Sequence, residues 1–297
     1  MKKTIYASLL VTLVVITGSG FLLKKVSSAP MNVPLNVKDL AEHGLIIIGA
    51  ADPAFNGTVS ALQKNKPSPA LEAVRPFSVL IKNTGRRAAI AFVLKWELME
   101  ADGKVHTETN QYFTNWSLMG RGTSEPGGNI IHPNAAWFLV PGFGMEVGSP
   151  GFVDDPKLTD YLNRRGVQLA QYTNVTVSLD GVFFDDGEFV GPNTTGFFEK
   201  VGAIRDATWD LRREIKDRIT GGKSPEEVLS HVAEIAKGPR VRLGRNSTGA
   251  DYYSYYKQLE AENLLRVRSK SGNDKAVEHA VEPLRRTWLN LRKHPRG

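Results

Sequence analysis

Along the chain, the spacing of hydrophobic and polar positions changes near Gly196. Upstream, apolar and polar residues alternate in short runs bounded by Gly, Pro, Asn and Asp, the period of two that a half-buried strand requires. These runs predict strands at Leu45 to Ala50, Phe77 to Lys82, Ala88 to Glu100, Val105 to Phe113, Ile130 to Val140, Val175 to Phe184 and Glu188 to Val190. Two joins read as hairpins, Glu100-Ala-Asp-Gly103 and Asp185-Asp-Gly187, because Asp-Gly supplies the positive backbone angle that such turns need. Between Pro141 and Tyr172 the pattern is irregular and rich in Gly and Pro, with a short helix expected around Leu158 to Arg164. That stretch reads as a long insertion between strands.

Downstream, Phe197, Val201, Ile204, Thr208, Leu211, Ile215 and Ile219 recur every three or four residues and make one apolar helical stripe. The opposite face holds Arg205, Asp206, Asp210, Arg212, Arg213, Glu214, Lys216 and Asp217, whose i to i+4 pairs suit a solvated surface. Gly221-Gly222 ends this helix. Ser224-Pro-Glu-Glu227 has the form of a capping box and opens a second helix through Val228, Leu229, Val232 and Ile235, closed by Gly238-Pro239. Beyond it, Tyr252, Tyr256, Leu259 and Asn263 share one face. Val277, Ala280, Val281, Leu284, Trp288 and Leu291 form a further stripe, which Pro283 would kink or interrupt. The helices are expected to pack on one another or on the strands, with a partner-binding coiled coil as the alternative.

The first residues carry a different signal. From Thr4 to Leu23 there is no charge, with Lys2 and Lys3 before the stretch and Lys24 and Lys25 after it. About twenty uncharged residues match a bilayer core when helical. The segment therefore reads as an uncleaved anchor or as a signal peptide cut near Gly20 or Ser28, and the remainder is expected outside the cytoplasm. There is no cysteine, which removes acylation of a cysteine, thiolate metal sites and cysteine nucleophiles, and leaves folding to the hydrophobic core alone. The fold class expected is α+β in several parts: a hydrophobic helix (1–29), an immunoglobulin-like β-sandwich (30–195), a helical hairpin (196–237) and a basic helical tail (238–297).

The sandwich expectation rests on a resemblance. Asn83-Thr-Gly85 followed by AAIAFVLKWELMEADG (88–103) resembles the strand pair of immunoglobulin-like or fibronectin-like sandwiches, in which Trp96 would lie between the sheets. Ser178-Leu-Asp-Gly-Val-Phe-Phe-Asp-Asp-Gly-Glu-Phe-Val-Gly-Pro192 and the helix after it resemble segments of uncharacterised exported bacterial proteins. This likeness implies a fold and no site residues, because sandwiches host many unrelated functions.

Charge is unevenly placed. Residues 238–297 hold 13 Lys and Arg against 6 Asp and Glu, a net +7 that equals the net charge of the whole chain. Arg240, Arg242 and Arg245 precede Tyr252, Tyr253 and Tyr256, and Arg266 and Arg268 follow. Arginine neutralises phosphate or carboxylate while a tyrosine face stacks on a ring, so these eight residues are the candidate polyanion-binding set. The alternative is a set of ordinary solvated basic helices.

The six histidines show no metalloprotease spacing, and no serine lies in a Gly-x-Ser-x-Gly elbow. Gly222-Lys-Ser224 lacks the earlier glycine of a phosphate loop. Asp154-Asp155, and Asp185-Asp186 with Glu188, could offer oxygens to calcium but read more simply as turn chemistry. Five Asn-x-Ser/Thr sites occur, at Asn56, Asn115, Asn174, Asn193 and Asn246. No cofactor and no metal are expected. The leading expectation is a non-catalytic envelope protein for binding or assembly, with anionic lipid, cell-wall polymer or an envelope protein as partner and not nucleic acid. Two alternatives stand beside it: a carbohydrate-active or other hydrolase using Glu146, Asp154 or Asp155, and a structural protein that oligomerises through its last helices.

Overall fold

The computed structural model describes residues 33–62, 69–113, 131–147, 156–244, 247–282 and 290–294. In chain order its strands are β1 (Leu35–Lys38), β2 (Leu45–Gly49), β3 (Val79–Asn83), β4 (Ala89–Glu100), β5 (Val105–Tyr112), β6 (Ala136–Val140), β7 (Phe143–Glu146), β8 (Tyr172–Phe184), β9 (Glu188–Val190) and β10 (Arg292–Lys293). Its helices are α1 (Pro53–Leu62), α2 (Pro69–Val74), α3 (Pro156–Leu169), α4 (Phe197–Thr220), α5 (Pro225–Ala236), α6 (Gly249–Ser271) and α7 (Asn273–Val281). The class is mixed α+β.

Two sheets form. In the first, β10, β9, β8, β4 and β5 lie side by side in that order, and β1 joins β8. Because β4 occupies one whole edge of β8, the other edge is shared: β1 runs parallel to Val175–Ser178, and β9 runs antiparallel to Val182–Phe183. The second sheet, β2-β3-β6-β7, is antiparallel throughout. Alternation sends every second residue to a shared core. Phe92, Leu94, Trp96, Leu98, Val175, Val177 and Leu179 meet Leu45, Ile47, Val79, Ile81, Trp137 and Leu139 of the other sheet. Trp96 is fully buried in this core, and the Phe92 ring stands edge-on to Trp137 at 5.5 Å.

Helices lie on the outer faces. Phe55, Val59, Leu71, Val74 and Leu162 of α1–α3 pack on Leu80, Phe138 and Val140 of the second sheet. Phe197, Val201 and Ile204 of α4, with Tyr252 of α6, pack on Ile90, Ala91, Val93, Phe183 and Phe189 of the first. Helix and sheet therefore share one core across the change of period at Gly196.

Past the sheet, α4 continues into a bundle with α5, α6 and α7 around Leu211, Ile215, Val228, Leu229, Val232, Ala261, Leu264, Ala276 and Ala280. Within it, α4 and α6 run parallel, since Asp210 meets Tyr253 and Glu214 meets Lys257 one turn further on. The pair Arg212–Glu260 (3.1 Å) is buried between them, and the Glu282 carbonyl accepts a second bond from Arg212. Removing either partner of such a pair is strongly destabilising, because it leaves an uncompensated charge buried between the helices. The capping box at Ser224 forms: Ser224 Oγ accepts from the Glu227 N–H (3.3 Å), and Glu227 accepts from the Ser224 N–H (2.9 Å).

Several expectations need correction. β1, β7, β10, α1 and α2 were not foreseen. The strand expected from Ile130 begins at Ala136, while Ile131 makes only an isolated bridge to Ala89. The insertion Pro141–Tyr172 contains β7, which turns back on β6, and a helix longer than expected, Pro156–Leu169. Both Asp-Gly hairpins are present, with Gly103 and Gly187 at φ 85°. The expected hydrophobic helix at 1–29 lies outside the described residues. No helix among the described residues is long and apolar enough to cross a membrane.

Candidate functional site

Seven of the eight candidate basic and aromatic residues are described, and the structure separates them. Tyr252 is buried against the first sheet, and Tyr256 stacks on it with ring centroids 6.3 Å apart. Burial, reinforced by the neighbouring Tyr252 and Tyr255, pushes the Tyr256 phenol up to about 12. Tyr253 donates to Asp210 at 2.9 Å, and burial together with that bond raises its pKa. These three rings thus belong to the packing of α6 on α4 and β4. Among the arginines, Arg240 pairs with Glu262 (2.6 Å) and Arg268 donates to Asn273 (2.8 Å). Arg242 and Arg266 are exposed and carry no ion pair among the described residues. Arg245 lies outside the described residues.

The aspartates of the β8–β9 turn are occupied. Asp186 accepts from the Glu188 N–H (3.0 Å) in an Asx turn, and Arg87 pairs with Asp186 and Glu188 while its guanidinium lies 4.0 Å over the Phe184 ring. Partial burial opposes ionisation of Asp186, but the Glu188 N–H, Arg87 and Arg292 hold its carboxyl below the ordinary range. This is turn and ion-pair chemistry, and no cluster of metal-ligating groups occurs among the described residues. Glu146 sits half-buried on β7 opposite Trp137, and Asp154 and Asp155 lie outside the described residues. Three of the five Asn-x-Ser/Thr asparagines are engaged: Asn56 with Arg75, Asn174 with Asn36, and Asn193 with Glu199 and the Phe198 N–H.

The most built of the described sites was not foreseen, and it lies where the edge of β8 is divided. β1 ends at Lys38 beside Ser178, and β9 ends at Val190 beside Val182; Leu179, Asp180 and Gly181 between them face no strand on that side. Asp180 is the extra residue of a bulge, for Gly181 pairs with Val93 and Leu179 with the next residue, Leu94. Its buried carboxylate accepts four bonds of 2.7–2.8 Å, from the N–H and hydroxyl of Thr194 and of Thr195. Those bonds fix the loop from β9 into α4. Gly191, at φ 113°, lets this loop pass so close to the Asp180 carbonyl that a Cβ there would sit 2.9 Å from it.

Around this fixed loop are two adjoining hollows that share Leu40 and Pro192. The smaller, about 220 Å³, is lined by Lys38, Asp39, Lys95, Glu97, Ser178 and Thr194 among others. The larger, about 490 Å³, opens beside Glu42, His43, Gly191 and His294, where the two imidazole rings meet edge-on at 5.2 Å. Register explains the smaller one. Thr109, Lys95, Ser178 and Lys38 stand opposite one another on β5, β4, β8 and β1, and all face outward because their neighbours Leu94, Trp96, Val177 and Val37 point into the core. Lys95 pairs with Glu97 at 2.8 Å, Asp39 accepts from the Ile47 N–H at 3.4 Å, and Lys38 is exposed.

Comparison of the chain with protein families, with curated proteins and with solved structures finds no match.

Proposed function

We propose that the protein is a non-catalytic binding or assembly component of the cell envelope that contacts anionic lipid or cell-wall polymer through exposed arginines of its last sixty residues. The observation that carries this reading is the division among the seven described candidates. The tyrosines are used in packing, while Arg242 and Arg266 remain exposed and without an acidic partner among the described residues. The contact is accordingly electrostatic, without ring stacking, and each arginine near an anionic surface contributes about 1 kcal/mol.

The placement in the envelope rests on the uncharged stretch Thr4–Leu23, as an anchor or a cleaved signal. The finer kinship, an immunoglobulin-like or fibronectin-like sandwich related to exported bacterial proteins, is part of the same proposal. Two sheets sharing a core with Trp96 inside it support the kinship, and the parallel pairings of β1 and β10 depart from the usual antiparallel plan.

Sedimentation of the full chain with anionic vesicles or cell-wall polymer tests the reading through Arg242→Glu/Arg266→Glu. Charge reversal leaves the core untouched, whereas truncation after Lys237 would strip α6 and α7 from the bundle and Tyr252 from the sheet. Binding reduced by about tenfold or more is expected; undiminished binding by the double variant would remove these arginines from the contact.

A further inference from the structure

We propose that the divided edge of the first sheet binds a small zwitterion, a free amino acid or a dipeptide, through Lys38, Lys95 and Ser178 on one side and Asp39 and Glu97 on the other. The row Lys95–Ser178–Lys38 places a hydroxyl between two ammonium groups, with strands ~4.8 Å apart. A carboxylate lying over Ser178 would accept from all three. The next outward residue on β4 is Glu97, and the residue after Lys38 is Asp39; both line the same hollow. An ammonium group bonded there would complete a ligand carrying both charges. Charge-assisted bonds of this kind are about twice as strong as neutral ones.

Size and rigidity agree with this assignment. At about 220 Å³ the hollow is smaller than the ~300 to 1,000 Å³ of sites that enclose drug-sized ligands, so its occupant is small. Its frame is set before binding, because the β1, β4 and β8 backbones are in register and the Asp180 bonds hold Thr194 at the rim. Lys38 has no ion pair among the described residues, and Asp39 is engaged only by one long backbone bond, so neither strong pairing must be broken for a ligand to enter. Lys95 and Glu97 already pair with each other, and a zwitterion can exchange that single contact for one with each of its ends. The adjoining larger hollow, past Leu40 and Pro192, leaves room for the side chains of a dipeptide.

The test is calorimetric titration of the full chain in detergent micelles with alanine, dialanine, N-acetylalanine and alanine amide. Alanine or dialanine is expected to bind, and the two analogues lacking one charge are expected to bind about tenfold more weakly or worse. Tighter binding of dialanine would assign the site to a dipeptide, and tighter binding of alanine to a free amino acid; either supports it. Lys38→Glu, at an exposed position, and Ser178→Ala should each lower zwitterion affinity, the first by about tenfold. Arg242→Glu/Arg266→Glu should leave it unchanged, which separates this site from the arginine surface. Absence of binding by both zwitterions, equal binding of the singly charged analogues, or unaltered affinity in Lys38→Glu would overturn the assignment.

Discussion

β4 and β8 pair along almost their whole length, yet their two ends present opposite outer surfaces. At the end near Phe184, the outward residues Ala91, Val93 and Phe183 are buried beneath α4 and Tyr252. At the other end, the outward residues Lys95, Glu97, Thr176 and Ser178 are partly open to solvent. The inner faces do not differ, being apolar from Phe92 to Leu98 and from Val175 to Phe184. The boundary between the two outer surfaces coincides with the bulge at Asp180, where the edge partner of β8 changes from β1 to β9. One half of this strand pair is thus committed to the fold on both faces. The other has a face left for binding.

Substitutions on the two halves should separate accordingly. Phe183→Ala removes a ring that packs on Phe189, Phe197 and Phe198, and should cost ~3 to 5 kcal/mol in chemical denaturation. Asp180→Ala at the boundary leaves the N–H groups of Thr194 and Thr195 without their acceptor and should cost ~2 to 3 kcal/mol. Asp180→Asn should recover part of this, since an amide oxygen can still accept. On the open half, Lys95→Ala should change stability by less than ~0.5 kcal/mol, because its pair with Glu97 is partly exposed. A cost for Lys95→Ala approaching that of Phe183→Ala would erase the contrast between the halves.

Acid offers a gentler probe, at the capping box of α5. Bonds from Lys223 and from the Ser224 N–H and hydroxyl hold the Glu227 carboxyl at about 2. A folded value below the unfolded one, ~4.3, means that the contribution of Glu227 is complete above ~4.3 and fades as pH falls towards about 2. A carboxyl titration by NMR should show this depressed value in the native chain, and Ser224→Ala should move it up towards the ordinary range. A value unchanged by Ser224→Ala would show that the box does not hold the carboxylate.

The contrast also shows what a linear reading can reach. Alternation along β4 and β8 revealed their strands, and the Ser224 box and the stripe from Phe197 to Ile219 revealed two helices, because each is a local pattern with one dominant cause. β7 escaped notice because Gly142 and Gly144 read as breakers. Gly144 is required for a different reason: the Leu139 side chain and the Tyr112 hydroxyl occupy the space a Cβ would take. β1 and β10, at four and two residues, have no period to read and exist through the strands they join. The tyrosines of α6 looked available because nothing local says that Tyr252 and Tyr256 cover a sheet formed far upstream. The divided edge draws Lys38, Lys95, Ser178 and Thr194 from four separate segments, and only strand register and the bonds of Thr194 to Asp180 bring them together.

The proposed envelope role is tested most directly by the salt dependence of binding to anionic vesicles, measured for the full chain and for Arg242→Glu/Arg266→Glu. The account predicts affinity that falls steeply as salt rises, and a shallower fall with weaker binding at low salt for the double variant. Salt-independent binding, or identical curves for the two proteins, would contradict it.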